Sequence, residues 1–243
     1  MNQSEKPIIP QENMTLYQRQ LCGQRFKDQV IKGLNPLLKG TGWKRKSAWV
    51  FKVDGDWYLT AFITGGTTPD GMENLINVEL GIKPMAVDPI YWKATGLSDN
   101  IKKPPSFRSN AAFKMPALPM AKQTWDKNLT DVEQASTDIF NAITGMAGAA
   151  IKAIKSKTYS ELVSEHENAD RYQTLFWCSL IAEGKGSTAL EKMRAHYFKD
   201  GQEPDAQSQA AEILEGFRSV IEGKDAAHGR HLTTDIYGNQ KIP

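Results

Sequence analysis

Apolar residues recur at roughly helical spacing from Tyr17 through Leu21, Phe26, Val30, Leu34 and Leu37, as one face of an amphipathic helix requires. Structure is expected to begin near Thr15, and Lys39-Gly40 supplies a cationic last turn followed by a glycine stop. Pro36 is expected to kink or divide this helix, because it lacks an amide donor and its ring crowds the preceding turn. The period then shortens to two. Residues 47–53 and 57–63 are rich in aromatic and β-branched side chains, and Asp54-Gly55-Asp56 between them has the turn chemistry of a short hairpin. The run from Gly65 to Gly71 reads as a loop, since glycine permits unusual dihedrals and Pro69 cannot continue a ladder. A third strand is expected over 75–82, with Ile76, Val78, Leu80 and Ile82 on the buried face and Leu75, Asn77, Glu79 and Gly81 on the other.

Beyond this point the pattern is less regular. Lys102-Lys103-Pro104-Pro105 and Met115-Pro116-Ala117-Leu118-Pro119 argue against a continuous helix, and residues 107–114 fit a fourth strand at an edge. Thr130-Asp131-Val132-Glu133 has the form of a capping box opening a long helix. Its apolar stripe is Val132, Ala135, Ile139, Ile143, Met146, Ala150 and Ile154, with Gly145 and Gly148 suited to close approach of another element. Thr158-Tyr159-Ser160-Glu161 repeats the capping pattern, and three further helices are expected near 168–183, 187–199 and 205–222. The last carries the stripe Ala210, Ile213, Leu214, Phe217, Val220 and Ile221. Residues 1–14 and 224–243 are polar, with little to anchor them, and read as a flexible arm and a tail. The expected fold is therefore α+β. A small antiparallel sheet with an N-terminal helix occupies 15–127, and an α-helical bundle region follows over 128–223.

Composition narrows the class without naming a chemistry. A chain of 243 residues that is 40% hydrophobic and 24% charged matches a globular protein and not a disordered or fibrous one. No apolar run approaches the ~20 residues that cross a bilayer, so no membrane association is expected. The first residues, Met1-Asn2-Gln3-Ser4-Glu5-Lys6-Pro7, lack the regions of a secretory signal, which makes cytoplasmic residence the expectation. Cys22 and Cys178 have neither metal-type spacing nor a disulfide framework around them, and both read as buried thiols. Charge is uneven: 18 basic and 11 acidic residues stand up to Lys127, a net +7, whereas 12 and 17 follow, a net −5. Such a division can steer an oppositely charged partner or draw two halves together, or it can simply solvate two faces.

The progression Leu34-Asn35-Pro36-Leu37-Leu38-Lys39, Gly42-Trp43-Lys44-Arg45-Lys46, Asn77-Val78-Glu79-Leu80-Gly81-Ile82 and Asp88-Pro89-Ile90-Tyr91-Trp92 resembles the bacterial domain-of-unknown-function family 4304. The likeness covers roughly residues 26–97: a helix ending before a Gly-aromatic-Lys-Arg/Lys turn, an aromatic strand, and an Asn-rich lead into a Leu-Gly-Ile strand. It implies a small α+β domain in a bacterial cytoplasmic protein. It supplies no catalytic residues and invites comparison with toxin-neutralising proteins.

The chemistry-bearing residues divide into a basic group and an acidic one. Lys44, Arg45, Lys46 and Lys52 stand among Trp43, Trp49, Trp57 and Tyr58, a combination that can hold phosphates and stack bases. Alternation sets Ser47, Trp49, Phe51 and Val53 opposite Ala48, Val50 and Lys52, so most large rings are expected to share the buried face. Glu161, Glu165 and Glu167 form the acidic counterpart. No metal site is expected: His228-Gly229-Arg230-His231 offers two imidazoles without further ligands. No cofactor is expected either, because Gly40-Thr41-Gly42 lacks the strand-loop-helix setting of a dinucleotide fingerprint. The leading expectation is a protein-interaction module, an immunity or antitoxin-like inhibitor of a toxin or effector. Lys44, Arg45, Lys46, Lys52, Glu161, Glu165 and Glu167 are its partner-binding candidates. The alternative is a nucleic-acid binding or processing protein that uses the basic N-terminal half. A third reading, a hydrolase, requires Asp54, Asp56, His166 and His196 to converge.

Overall fold

A computed structural model of the chain describes residues 14–110, 113–126, 129–198 and 208–223. The histidines of 228–231, and the arm and tail apart from Met14, lie outside these residues. The chain forms two compact units: Met1–Lys83 with Ala117–Lys157, and Pro84–Pro116 with Thr158–Pro243. The division is interleaved, where the sequence pattern suggests one cut after Lys127. Its cause is that the long helix expected to open the second half packs instead on the first helix. Interleaving also dilutes the charge division, since the units carry net charges of +4 and −2.

The sheet unit begins with helix α1 (Leu16–Leu38), capped by Thr15, whose hydroxyl accepts from the Gln18 amide while the Gln18 side chain accepts from the Thr15 amide. Pro36 lies inside α1 and does not divide it; the helix ends two residues later at Leu38, so the bond Pro36 cannot donate is lost only at its end. Strands β1 (Lys44–Lys46), β2 (Trp49–Asp54), β3 (Trp57–Thr67), β4 (Asn74–Pro84) and β5 (Leu118–Trp125) form one sheet in that spatial order. The hairpin turn is Gly55-Asp56, with Gly55 at φ +57°. On β4 the alternation is met in full: Ile76, Val78, Leu80 and Ile82 are all buried.

Two expectations about the sheet are corrected. Gly65 and Gly66 continue β3 and are not a loop, because α1 crosses the strand there. A Cβ on Gly23 would strike the Gly66 carbonyl, and one on Gly65 would strike the Leu75 carbonyl. The last strand is 118–125, not 107–114. Pro119 is tolerated in it because β5 is an edge, opposite a register shift at Leu80/Gly81. On β2 and β3 the register sets Trp49, Phe51, Tyr58 and Phe62 on one side, as the alternation predicts, with Phe51 and Tyr58 buried and Trp49 and Phe62 half-buried; Val50, on the other side, is buried as well. Cover on both sides of the central strand is the physical reason, since successive residues Tyr58, Leu59, Thr60 and Ala61 of β3 are all buried.

Helix α4 (Val132–Ala153) completes this unit. Its cap is Asp131, whose carboxylate accepts from the amides of Glu133 and Gln134, one residue later than the Thr130 box suggests. Ala135, Ile139, Ile143, Ala150 and Ile154 are buried as expected. The Ser136 hydroxyl lies 3.1 Å from the Val30 carbonyl of α1, at the point where Gly33 leaves room for it. Gly145 and Gly148 have open space around them and mediate no close approach.

The helical unit contains α2 (Val87–Ala94), α3 (Phe107–Asn110), α5 (Tyr159–Ser164), α6 (Gln173–Ala182), α7 (Gly186–Tyr197) and α8 (Gln209–Ile221), with single 3₁₀ turns at Ser98–Lys102 and Ala169–Tyr172. Helix α2 packs on α6 and α8, and α7 on α6 and α8. Gly216 of α8 sits against the Ala94 carbonyl, where any side chain would collide. Both cysteines are free thiols. Cys178 is buried, whereas Cys22 is exposed, contrary to expectation, because it lies off the buried face of α1. Among the described residues, no helix is long and apolar enough to cross a membrane.

Candidate functional site

The basic stretch is placed by the end of α1. Lys39 is the cap, Gly40 (φ +75°) and Gly42 (φ +81°) turn the chain, and the Thr41 hydroxyl donates to the Leu38 carbonyl at 2.7 Å while lying 3.3 Å from the Trp43 amide. Trp43 is buried, which fixes where the strand leaves the helix. The three residues that follow form β1 at the edge of the sheet, in register Lys44 with Phe51, Arg45 with Val50 and Lys46 with Trp49. Directly paired residues in an antiparallel ladder point to the same side. The four candidate cations are therefore split between the faces. Lys44 and Lys46 share a side with Trp49, Phe51 and Phe62, and Arg45 and Lys52 take the other.

The two sides use their cations differently. Arg45 Nε donates to Asn35 Oδ1 at 2.8 Å and Nη1 to the Ser47 carbonyl at 2.8 Å, tying β1 to α1 and to a tight turn in which Ser47 adopts φ +52°. A non-glycine residue in that region needs such support. Lys52 runs its stem past Gly42 and places Nζ 3.6 Å from Asp54 Oδ2. The side chains of Lys44 and Lys46 are exposed and make no hydrogen bond or ion pair with the described residues. Beside Lys46, Trp49 stacks on Phe62 with ring centroids 4.2 Å apart, and both rings are half-buried. Of the four cations, two build the scaffold and two are presented by it.

The acidic candidates belong to the helical unit and serve local structure. Glu161 closes a capping box on α5: its Oε2 accepts from the Thr158 amide at 2.8 Å, and that bond with the Thr158 hydroxyl holds its carboxyl below the usual range. Glu165 caps the other end of α5, and its amide donates to the Glu161 carbonyl at 3.0 Å. Glu167 accepts from the Asn168 side chain at 3.3 Å. The groups required for hydrolysis are likewise in local use. Asp54 pairs with Lys52 in the sheet unit, His166 stands edge-on to Tyr172, and His196 to Trp177 and Tyr197. No group of three potential metal ligands occurs among the described residues.

Two polar clusters, one buried and one partly exposed, are not apparent in the sequence. Asp88 is fully buried in α2; its Oδ2 lies 2.9 Å from Arg108 Nη1, and its Oδ1 accepts from the Met115 amide at 2.9 Å. Arg108 also donates to the Met85 carbonyl at 2.9 Å and lies over the Trp92 ring, so one ion pair latches the proline-rich segment onto α2. Burial pushes Lys114 down and the Cys178 thiol well up; the Asp88 charge opposes the first shift and adds to the second. The second cluster joins α5 to the end of α6. Glu183 accepts from the Ser160 amide at 2.8 Å, from the Ser160 hydroxyl at 2.7 Å and from Lys185 Nζ at 2.8 Å. Burial raises the Glu183 carboxyl, but these three bonds outweigh it and leave it below the usual range. Every partner in the second cluster is a fold contact, and neither cluster arranges a nucleophile with a base and an oxyanion donor. An Asp beside a helix start is the only signal the sequence carries for the first latch.

Comparison with protein-family models, with curated proteins and with solved structures found no match to the chain.

Proposed function

We propose that the chain is a bacterial cytoplasmic protein-binding module, of the immunity or antitoxin-like kind, whose recognition element is the β1 edge. One observation carries the reading: the side chains of Lys44 and Lys46 are exposed and without an ionic partner among the described residues, on an edge strand that Arg45 anchors to α1. A rigid cationic edge suits an acidic partner surface, because little conformational freedom is lost on binding and the charges favour one sign of partner. Lys52, on β2 and on the other side of the sheet, pairs with Asp54 and supports this element without forming part of it. Glu161 and Glu165 cap α5, Glu167 accepts from Asn168, and none of the three is required for binding in this reading. The reading is tested by recovering the full chain from its native host with its bound protein and assaying that protein's activity with and without the chain. Inhibition that K44E/K46E relieves supports it. Recovery of the chain alone, or of a partner whose activity it leaves untouched, contradicts it.

A second reading is favoured by one feature, the Trp49–Phe62 stack on the same side as Lys44 and Lys46. Aromatic rings beside cations bind single-stranded nucleic acid by stacking and phosphate contact. Binding of this kind weakens steeply with salt, and a salt series with an oligonucleotide separates the two readings.

A further inference from the structure

We infer that β1 takes up an extended acidic segment of its partner as an added antiparallel or parallel strand. The inference rests on the reading of the chain as a protein-binding module and names how such a partner is held. Strand β1 pairs with β2 on one side only, and residues 44–46 have no hydrogen bond to described residues beyond those of the ladder, the Arg45 side chain and its frame. An edge of this kind offers unpaired backbone groups to another chain.

The side chains decide which chain is accepted. Lys44 and Lys46 stand two residues apart on one side of the sheet, about 7 Å along the strand. An incoming strand repeats its side chains at that same interval, so alternate Asp or Glu residues fall opposite both lysines. A second copy of β1 would set lysine against lysine and is disfavoured. Arg45 is committed to Asn35 and Ser47, so the strand is already ordered before anything binds. A peptide is favoured over a nucleic acid here for two reasons. Only a peptide can extend the backbone ladder, and Trp49 and Phe62 already use one ring face on each other.

The test uses the full chain and labelled seven-residue peptides: one alternating Glu and Val, the same peptide with alternate backbone amides methylated, and one alternating Lys and Val. An oligo(dT) is measured in parallel. The Glu/Val peptide is expected to bind, the Lys/Val peptide not to, and K44E/K46E to weaken Glu/Val binding by at least ~10-fold. K44Q/K46Q is expected to give a smaller loss, and both variants to melt like the parent because these side chains are exposed and make no hydrogen bond or ion pair with the described residues. Methylation is expected to weaken binding on its own by blocking the ladder. Binding that survives methylation, or absence of Glu/Val binding, overturns strand addition. Oligo(dT) binding lost in K44E/K46E, with no peptide binding, overturns the protein-binding reading as well. A partner enzyme still inhibited by K44E/K46E overturns this site alone.

Discussion

The sheet unit and the helical unit are held together by different means. In the first, one apolar face of α1 meets the sheet and α4, and close crossings are made by glycines: Gly23 against Gly66, and Gly33 against Ser136. In the second, short helices are joined by polar latches, a buried one from Asp88 to Arg108 and Met115 and a partly exposed one from Glu183 to Ser160 and Lys185. The difference follows from length. A helix of 23 residues carries a long apolar stripe, whereas helices of 4 to 13 residues present few apolar positions each and need directional contacts to fix their joints. Apolar faces tolerate change of sequence at constant volume, while a latch fails when either partner is lost.

The largest effect is expected at the first latch. Asp88→Ala leaves Arg108 and the Met115 amide without their acceptor in a buried setting, and should cost about 3–5 kcal/mol in urea unfolding. A loss under ~1 kcal/mol would show that the helical unit is held by apolar contact like its neighbour. Next comes the crossing in the sheet unit. Gly23→Ala forces a methyl group onto the Gly66 carbonyl and should cost about 1–3 kcal/mol, measured by the same unfolding experiment. An unchanged midpoint would mean that α1 rests on the sheet less closely than its geometry implies.

Glu183→Ala removes the acceptor of the Ser160 amide and hydroxyl and should cost about 1–3 kcal/mol. The pH dependence has a definite sign. Because the folded-state carboxyls of Glu183 and Glu161 lie below their unfolded values, their contribution is full above about pH 4.3 and fades as pH falls through the folded values. Thermal melts from pH 7 downward should therefore show a shallower acid loss in Glu183→Ala than in the parent; an identical slope would remove this latch from the account. The smallest effect has the opposite sign. Gly145→Ala fills open space on an exposed helix face and should stabilise by about 1 kcal/mol or slightly less. Destabilisation there would restore the close approach that the sequence suggests.

The contrast between the units also sets what could be read from sequence. The β4 alternation, the Gly55 turn and the Thr158 capping box are local, and each appears in the structure where the residues place it. The course of β3 through Gly65 and Gly66 could not be read, because those glycines answer to a helix more than 40 positions away in the chain. The same holds for β5: Pro119 argues against a strand unless it is known that the strand lies at an edge. Interleaving of the units was illegible for a related reason, since α4 looks like the start of a bundle until its contact with α1 is seen. At the candidate site the basic residues could be named from sequence. Their division into scaffold and presented cations depends on the β1 register and on Asn35, which only the fold supplies.

The central claim is that the β1 edge is where this protein binds. It is tested most directly by hydrogen exchange on the full chain, alone and with its captured protein partner, following the backbone amides of Lys44, Arg45 and Lys46. Slower exchange at the edge-facing amides of this strand on binding, lost in K44E/K46E, is the predicted result. Binding that leaves all three amides unchanged and instead protects the segment around Glu161, Glu165 and Glu167 would contradict it.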